Sequence, residues 1–215
     1  MSAFGRARPR TDAATFPLGA RLGGAVVLDA TPFKLAGDAF AFACPEGAQI
    51  IEAIGAIDLG AGARLHRLYL SDDAFVQIAT TGAATGDLGV GEIALFVYAD
   101  AIAPADQAAF RRWVEPGSPL GAATYAFAGH EYRRVWGDDP ELGWAPPVAL
   151  DEDVYKISPD AKDYDLTLYS MLYARDVDGG RGELLLVSAE DAGPNDYCIS
   201  LALGVALTRA DFEIT

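Results

Sequence analysis

Between Arg64 and Thr80 the chain reads RLHRLYLSDDAFVQIAT, a stretch that admits few folds. Apolar and polar residues alternate on both sides of Ser71-Asp72-Asp73, as in two antiparallel strands joined by a short turn. A three-residue turn pairs Leu70 with Ala74, Leu68 with Val76 and His66 with Ile78, all on one face. Arg67 opposite Gln77 and Tyr69 opposite Phe75 share the other face. A two-residue turn would set Phe75 against Leu70 and sort the apolar residues less well. His66 therefore belongs to an aliphatic face, where a histidine is expected as a hydrogen-bonded core or rim residue. A catalytic role would need a carboxylate partner, and none is assigned by the sequence. Asp72 and Asp73 read as turn residues, whose carboxylates bond their own backbone.

The same alternation recurs along the chain. Strands are expected at Ala25–Asp29, Phe33–Leu35, Gln49–Leu59 and Glu92–Tyr98, and a hairpin over Ala123–Trp136 turning at Ala128-Gly129. Pro104 is placed to start one short helix, Ala105–Val114. Further strands are expected at Tyr164–Arg175, Glu183–Ala189 and Tyr197–Ala206, the first two joined by a turn at Asp176–Gly180. In the last strand Tyr197, Ile199, Leu201, Leu203 and Val205 share one face, while Cys198, Ser200, Ala202, Gly204 and Ala206 share the other. Large residues then face a core, and small ones face something that approaches closely. Thr208 is placed to cap a terminal turn over Arg209–Phe212. The expected class is mainly β, an antiparallel sandwich or partly open barrel with one short helix near 105–114. The run 137–147, rich in proline and glycine, is the expected split between two subdomains of a single domain spanning 17–215. Residues 1–16 read as a disordered basic arm in which Arg6, Arg8 and Arg10, followed by Arg21, oppose only Asp12.

Charge and motifs exclude more than they assign. The formal net charge is -15, which disfavours nucleic acid and anionic lipid as partners of the body. Cys44 and Cys198 make no disulfide framework, and with two distant histidines they match no zinc spacing. No apolar run reaches the roughly 18 residues of a membrane span, and the first residues lack a secretory apolar region, so a cytoplasmic protein is expected. The glycines of 82–91 precede a strand and lack a following Lys-Ser or Lys-Thr, so they are no phosphate loop. Asp176-x-Asp178-Gly179 with Glu183 is too short for a calcium loop. Asp151-Glu152-Asp153 reads as a solvated acidic loop. No cofactor or metal is expected.

Several segments together resemble the YjfK-like family of bacterial proteins of unknown function. They are PLGARLGGAVVLD (Pro17–Asp29), LHRLYLSDDAFVQI (Leu65–Ile78), EIALFVY (Glu92–Tyr98), EYRRVWG (Glu131–Gly137), MLYAR (Met171–Arg175), ELLLVS (Glu183–Ser188) and ISLALGVALTRADFEI (Ile199–Ile214). The resemblance carries no catalytic residues. It implies a setting beside a phage-shock-protein-A-like membrane-remodelling protein, small membrane proteins and an ATP-grasp ligase of the glutathionylspermidine synthase type.

Two functions are therefore expected in competition. The first is a non-enzymatic adaptor in a bacterial envelope-stress system, its acidic surface suited to a basic protein partner. The second is a small-molecule-binding or enzymatic β-barrel, in which Arg67, Tyr69, Arg134 and Trp136 would converge on a ligand if the two hairpins faced each other. A homo-oligomer is a third possibility, because Leu184–Val187 is apolar on both faces.

Overall fold

Period-two alternation builds the wall of this protein, and the wall closes on itself. The computed structural model describes residues 16–82, 89–137, 143–177 and 181–215. The basic arm other than Phe16 lies outside the described residues. So do most of the glycine-rich loop after Thr80, part of the 137–147 run, and the tip of the Asp176–Gly180 turn.

In chain order the elements are β1 (Ala25–Leu28), α1 (Thr31–Ala36), β2 (Ala48–Gly60), β3 (Ala63–Leu70), β4 (Ala74–Thr81), β5 (Gly89–Ile102), α2 (Gln107–Val114), β6 (Thr124–Phe127), β7 (His130–Arg134), β8 (Val148–Tyr155), β9 (Tyr164–Asp176), β10 (Gly182–Gly193), β11 (Asp196–Leu207) and β12 (Phe212–Ile214). Two meanders, β2-β3-β4-β5 and β8-β9-β10-β11, join along both edges. β5 pairs antiparallel with β11, and β8 pairs antiparallel with β2. The result is a closed antiparallel barrel of eight strands, with β1 and β12 extending from β2 and the β6–β7 hairpin extending from β9. Four barrel strands come from each side of the 137–147 run. Closure removes the open edges that a sandwich of these strands would expose.

The register of the opening hairpin pairs His66 with Ile78, Arg67 with Gln77, Leu68 with Val76, Tyr69 with Phe75 and Leu70 with Ala74. The apolar face it defines lies outside the barrel, under a cover. Ile51, Ile54, Leu68, Leu70, Val76, Ile78 and Leu95 pack beneath Phe16, Leu28, Phe33 and Phe212. On the far side Met171, Leu185, Val187, Ile199, Leu201 and Leu203 pack beneath Phe110 of α2, Leu120 and Tyr132. Each large side chain withdrawn from water contributes about 1.5–3 kcal/mol, so most of the apolar stabilisation sits outside the wall. The lumen receives the other face of every strand, and that face is mixed.

Several expectations are corrected here. Phe33–Leu35 lies in α1, not in a strand. Pro32 starts the helix, and Phe33 turns into a trio with Phe40 and Phe42 at ring separations of 5.8, 5.7 and 5.6 Å. The 105–114 helix begins later, at Gln107. The Asp106 carboxylate accepts from the Ala109 N–H at 2.7 Å and so caps it. Thr208 caps nothing. Its N–H and hydroxyl both donate to Asp211, and the resulting turn launches β12. Asp151-Glu152-Asp153 is not a loop but the middle of β8, with Glu152 buried. Phe16 is no part of a loose arm, since it is buried against His66 and Tyr155. Leu184–Val187 is apolar on both faces because Leu184 and Leu186 face the lumen while Leu185 and Val187 pack in the outer cluster with Phe110 of α2.

Among the described residues no helix is long and apolar enough to cross a membrane.

Candidate functional site

The lumen is divided by a buried polar plug. Arg67 on β3 points inward, as does Glu152 on β8. They are 3% and 0% exposed, and Arg67 Nη1 donates to Glu152 Oε2 at 3.1 Å. The Tyr69 hydroxyl donates to Glu152 Oε1 at 2.8 Å, and Arg67 Nε donates to Gln77 Oε1 at 3.1 Å. The guanidinium lies over the Phe75 ring, 5.2 Å from its centroid, and Phe75 stacks on Phe96 at 5.1 Å. Burial opposes the Arg67 charge, but Glu152 together with Tyr69 and Tyr98 outweighs it and holds the guanidinium above its ordinary pKa. Burial first, then Glu152, keeps the Tyr69 phenol protonated well above its ordinary range.

Glu152 reaches its partners only because Gly55, its diagonal neighbour on β2 two residues from its register partner Ile57, carries no side chain. A Cβ at position 55 would lie 1.6 Å from Glu152 Oε1. Small residues on β11 do the same for the aromatic rings. A Cβ at Gly204 would lie 2.4 Å from the Leu95 carbonyl oxygen and 2.5 Å from the Phe96 ring. This is what the small-residue face of Tyr197–Ala206 is for.

The plug separates two openings. Above it is a bowl of about 910 Å3, lined by Leu59, Leu65, Ala79, Ala94, Phe96, Trp136, Leu172, Leu184 and Ala206 among others. Gln77 is its main polar contact with the plug, and Glu92 stands at its rim. Below it is a smaller cavity of about 470 Å3, where Tyr69, Tyr98, Tyr164, Glu190 and Asp196 meet. Between these levels Ser170 and Ser188 share a hydrogen bond of 2.8 Å, and the Ser200 hydroxyl donates to Glu190.

The four side chains proposed to converge do not. Arg67 and Tyr69 join the plug, and Tyr69 also faces the lower cavity. Trp136 lines the bowl. Arg134 lies outside the wall, where Nη1 donates to the Gly121 carbonyl at 2.7 Å beneath the second cover. Residues 134 and 136 sit on the same short segment but serve different compartments. Sequence reasoning missed Glu152 and Glu190. Both carry a readable signal: Glu152 alternates with Val148, Leu150 and Val154, and Glu190 alternates with Leu184, Leu186 and Ser188.

His66 faces the outer cover, 2% exposed. Neither imidazole nitrogen finds a hydrogen-bond partner among the described residues, because the surrounding cover is apolar. Burial, reinforced by Arg64, pushes its pKa down to about 4. The folded state therefore holds the neutral form, while the unfolded chain protonates near 6.5. Stability from this site is fully present above about pH 6.5 and is lost as pH falls toward 4, a loss on the order of 3 kcal/mol. His66→Leu is expected to remove that pH dependence. Urea midpoints measured between pH 7 and 4 check it, and parallel curves for the two proteins would refute it.

His130 stands at the β6–β7 turn beside a shallow polar groove with Glu131, Arg133 and Arg175. Burial raises the Cys198 pKa, with Glu190 and Asp196 adding to it, so this thiol is a poor nucleophile. Among the described residues no three His, Cys, Asp or Glu side chains gather as a metal site.

A family model described as "Protein of unknown function (DUF2491)" matches residues 1–213. The uncharacterized protein YjfK of Escherichia coli (strain K12) is 30% identical over 202 residues, covering 92% of this chain and 90% of that protein. No solved structure matches the chain. A match of this extent, together with the relative's near-complete overlap, means that the chain belongs to the DUF2491 family of proteins of unknown function.

Proposed function

We propose that this protein is a non-enzymatic binding protein whose barrel takes the apolar part of a small molecule into the bowl above the plug. The observation that carries this reading is the bowl itself: about 910 Å3 of apolar-lined space at the end of a closed barrel. Ligand sites in β-barrels occupy such mouths, and this volume falls within the usual range of roughly 300–1,000 Å3. Binding is favoured over catalysis because no acid–base pair or nucleophile converges on the bowl among the described residues. Its polar side chains are Gln77, already engaged by Arg67, and Glu92 at the rim. An elongated or ring-shaped apolar group of modest size fits this chemistry.

N-phenylnaphthylamine, whose fluorescence rises in apolar surroundings, tests the reading. Saturable enhancement at one site per chain is expected, with energy transfer from Trp136. Ala206→Trp fills the bowl from an exposed position and leaves the wall intact, so it is expected to weaken binding at least tenfold. Absence of saturable binding, or equal binding by Ala206→Trp, sinks the proposal.

A second reading is the adaptor in an envelope-stress system that the family resemblance implies. The net charge of -15 and the outward, exposed Asp151 of β8 support a basic protein partner. Ligand binding and adaptor roles are compatible. Crosslinking in cells that recovers no component of a membrane-stress system counts against the second.

A further inference from the structure

The lower end of the lumen differs in chemistry from the bowl, and no role has been assigned to it. Tyr69, Tyr98 and Tyr164 line this cavity of about 470 Å3 with Glu190 and Asp196. Arg67 and Glu152 neutralise each other behind it. Among the described residues Glu190 makes no salt bridge: the Ser200 hydroxyl donates to it, and the Arg67 guanidinium, already bonded to Glu152, acts on it only at a distance. Burial raises the Glu190 pKa, and the phenols of Tyr98 and Tyr164 are raised by burial and then by the surrounding carboxylates. This end of the barrel therefore combines three neutral aromatic rings with a carboxylate that has no cation in direct contact among the described residues.

Each class of ligand can be weighed against that lining. An anion would meet Glu190 and Asp196 and be repelled. A neutral apolar molecule would bury Glu190 without compensating its charge, which is costly. A hard metal ion requires several oxygen ligands in a closed shell, and no group of three metal-binding side chains is present among the described residues. A cation with an apolar shell satisfies both features, since its charge answers the carboxylate and its methyl or methylene surface lies on the rings. Cation–aromatic contacts contribute about 0.5–2 kcal/mol each, more when desolvated.

We propose that the lower cavity is a binding site for an organic ammonium cation, held by the Glu190 carboxylate and the faces of Tyr69, Tyr98 and Tyr164. The site lies across the plug from the bowl and does not depend on the bowl being occupied.

Tetramethylammonium is the probe and tert-butanol its uncharged counterpart, each titrated into the full chain at constant ionic strength and followed by calorimetry and by tyrosine NMR shifts. Saturable binding of tetramethylammonium is expected, with tert-butanol at least tenfold weaker. Glu190→Gln is expected to weaken the cation at least tenfold. Tyr164 is 48% exposed, so Tyr164→Ala should keep the fold and still weaken binding several-fold. Ala206→Trp, across the plug, should leave it unchanged. Equal binding of tert-butanol, no saturable binding of the cation, or unaltered affinity in both folded Glu190→Gln and Tyr164→Ala overturns the proposal.

Discussion

Glu152→Leu is expected to destabilise the protein by about 3–5 kcal/mol, a large share of the total stability of a domain this size. The reason is the charge left behind. Arg67 is 3% exposed and cannot deprotonate, so without Glu152 its guanidinium is buried with the Gln77 amide oxygen as its remaining acceptor among the described residues. The Tyr69 hydroxyl loses its acceptor in the same change, adding roughly 1–3 kcal/mol if it stays unsatisfied. Breaking the pair differs physically from removing it. Arg67→Met combined with Glu152→Leu abolishes both desolvation penalties and keeps the lumen filled, so the double variant should recover most of the single variant's loss. Urea unfolding of wild type, both single variants and the double variant measures this. A Glu152→Leu cost below about 1 kcal/mol, or a double variant no better than the single, means the plug is not a buried ion pair.

The same pair shows why part of this molecule was legible from sequence and part was not. Strand period was legible because it is local. Leu68, Val76 and Ile78 sort onto one face whatever surrounds them, and the hairpin register follows residue by residue. Which side of a wall that face occupies is not local. The aliphatic face went outward because two covers, one built from Phe16, Phe33 and Phe212 and one from Phe110 and Tyr132, supply the apolar layer there. The polar and aromatic face was left to fill the lumen. β8 was obscured by composition: three consecutive acids read as a solvated loop, although Leu150, Glu152 and Val154 alternate with Asp151 and Asp153. Glu152 gains its meaning from Arg67, 85 residues away, and no neighbouring residue announces that partner. Arg67 and Tyr69 could be singled out as a face, while the carboxylate that organises them, and Glu190 beyond it, required the closed ring. Arg134 and Trp136 illustrate the converse. Two residues apart in sequence, they read as one cluster, yet the end of β7 sends one beneath the outer cover and the other to the bowl.

Gly55→Ala carries the second large expected effect, and it tests the plug from the neighbouring strand. The added Cβ would lie 1.6 Å from Glu152 Oε1 and 2.7 Å from its Cδ, so the carboxylate must leave its place. Retreat by a flexible side chain is ordinarily cheap. Here the carboxylate is fully buried and held by Arg67 and Tyr69, so retreat breaks both hydrogen bonds at once. The expected cost is therefore comparable to losing the acid itself, about 3 kcal/mol or more, from a single methyl group. A double-mutant cycle separates this from a generic effect of alanine in a strand. With Glu152→Ala already present the methyl has nothing to displace, and Gly55→Ala should then cost less than about 1 kcal/mol, leaving a coupling of roughly 2 kcal/mol or more. Strict additivity in urea unfolding would falsify the assignment of Gly55 as the residue that makes room for Glu152. The lower cavity gives an independent readout. If Glu152 is displaced while the chain stays folded, Tyr69 loses its anchor, and tetramethylammonium should bind Gly55→Ala more weakly although position 55 does not itself line that cavity.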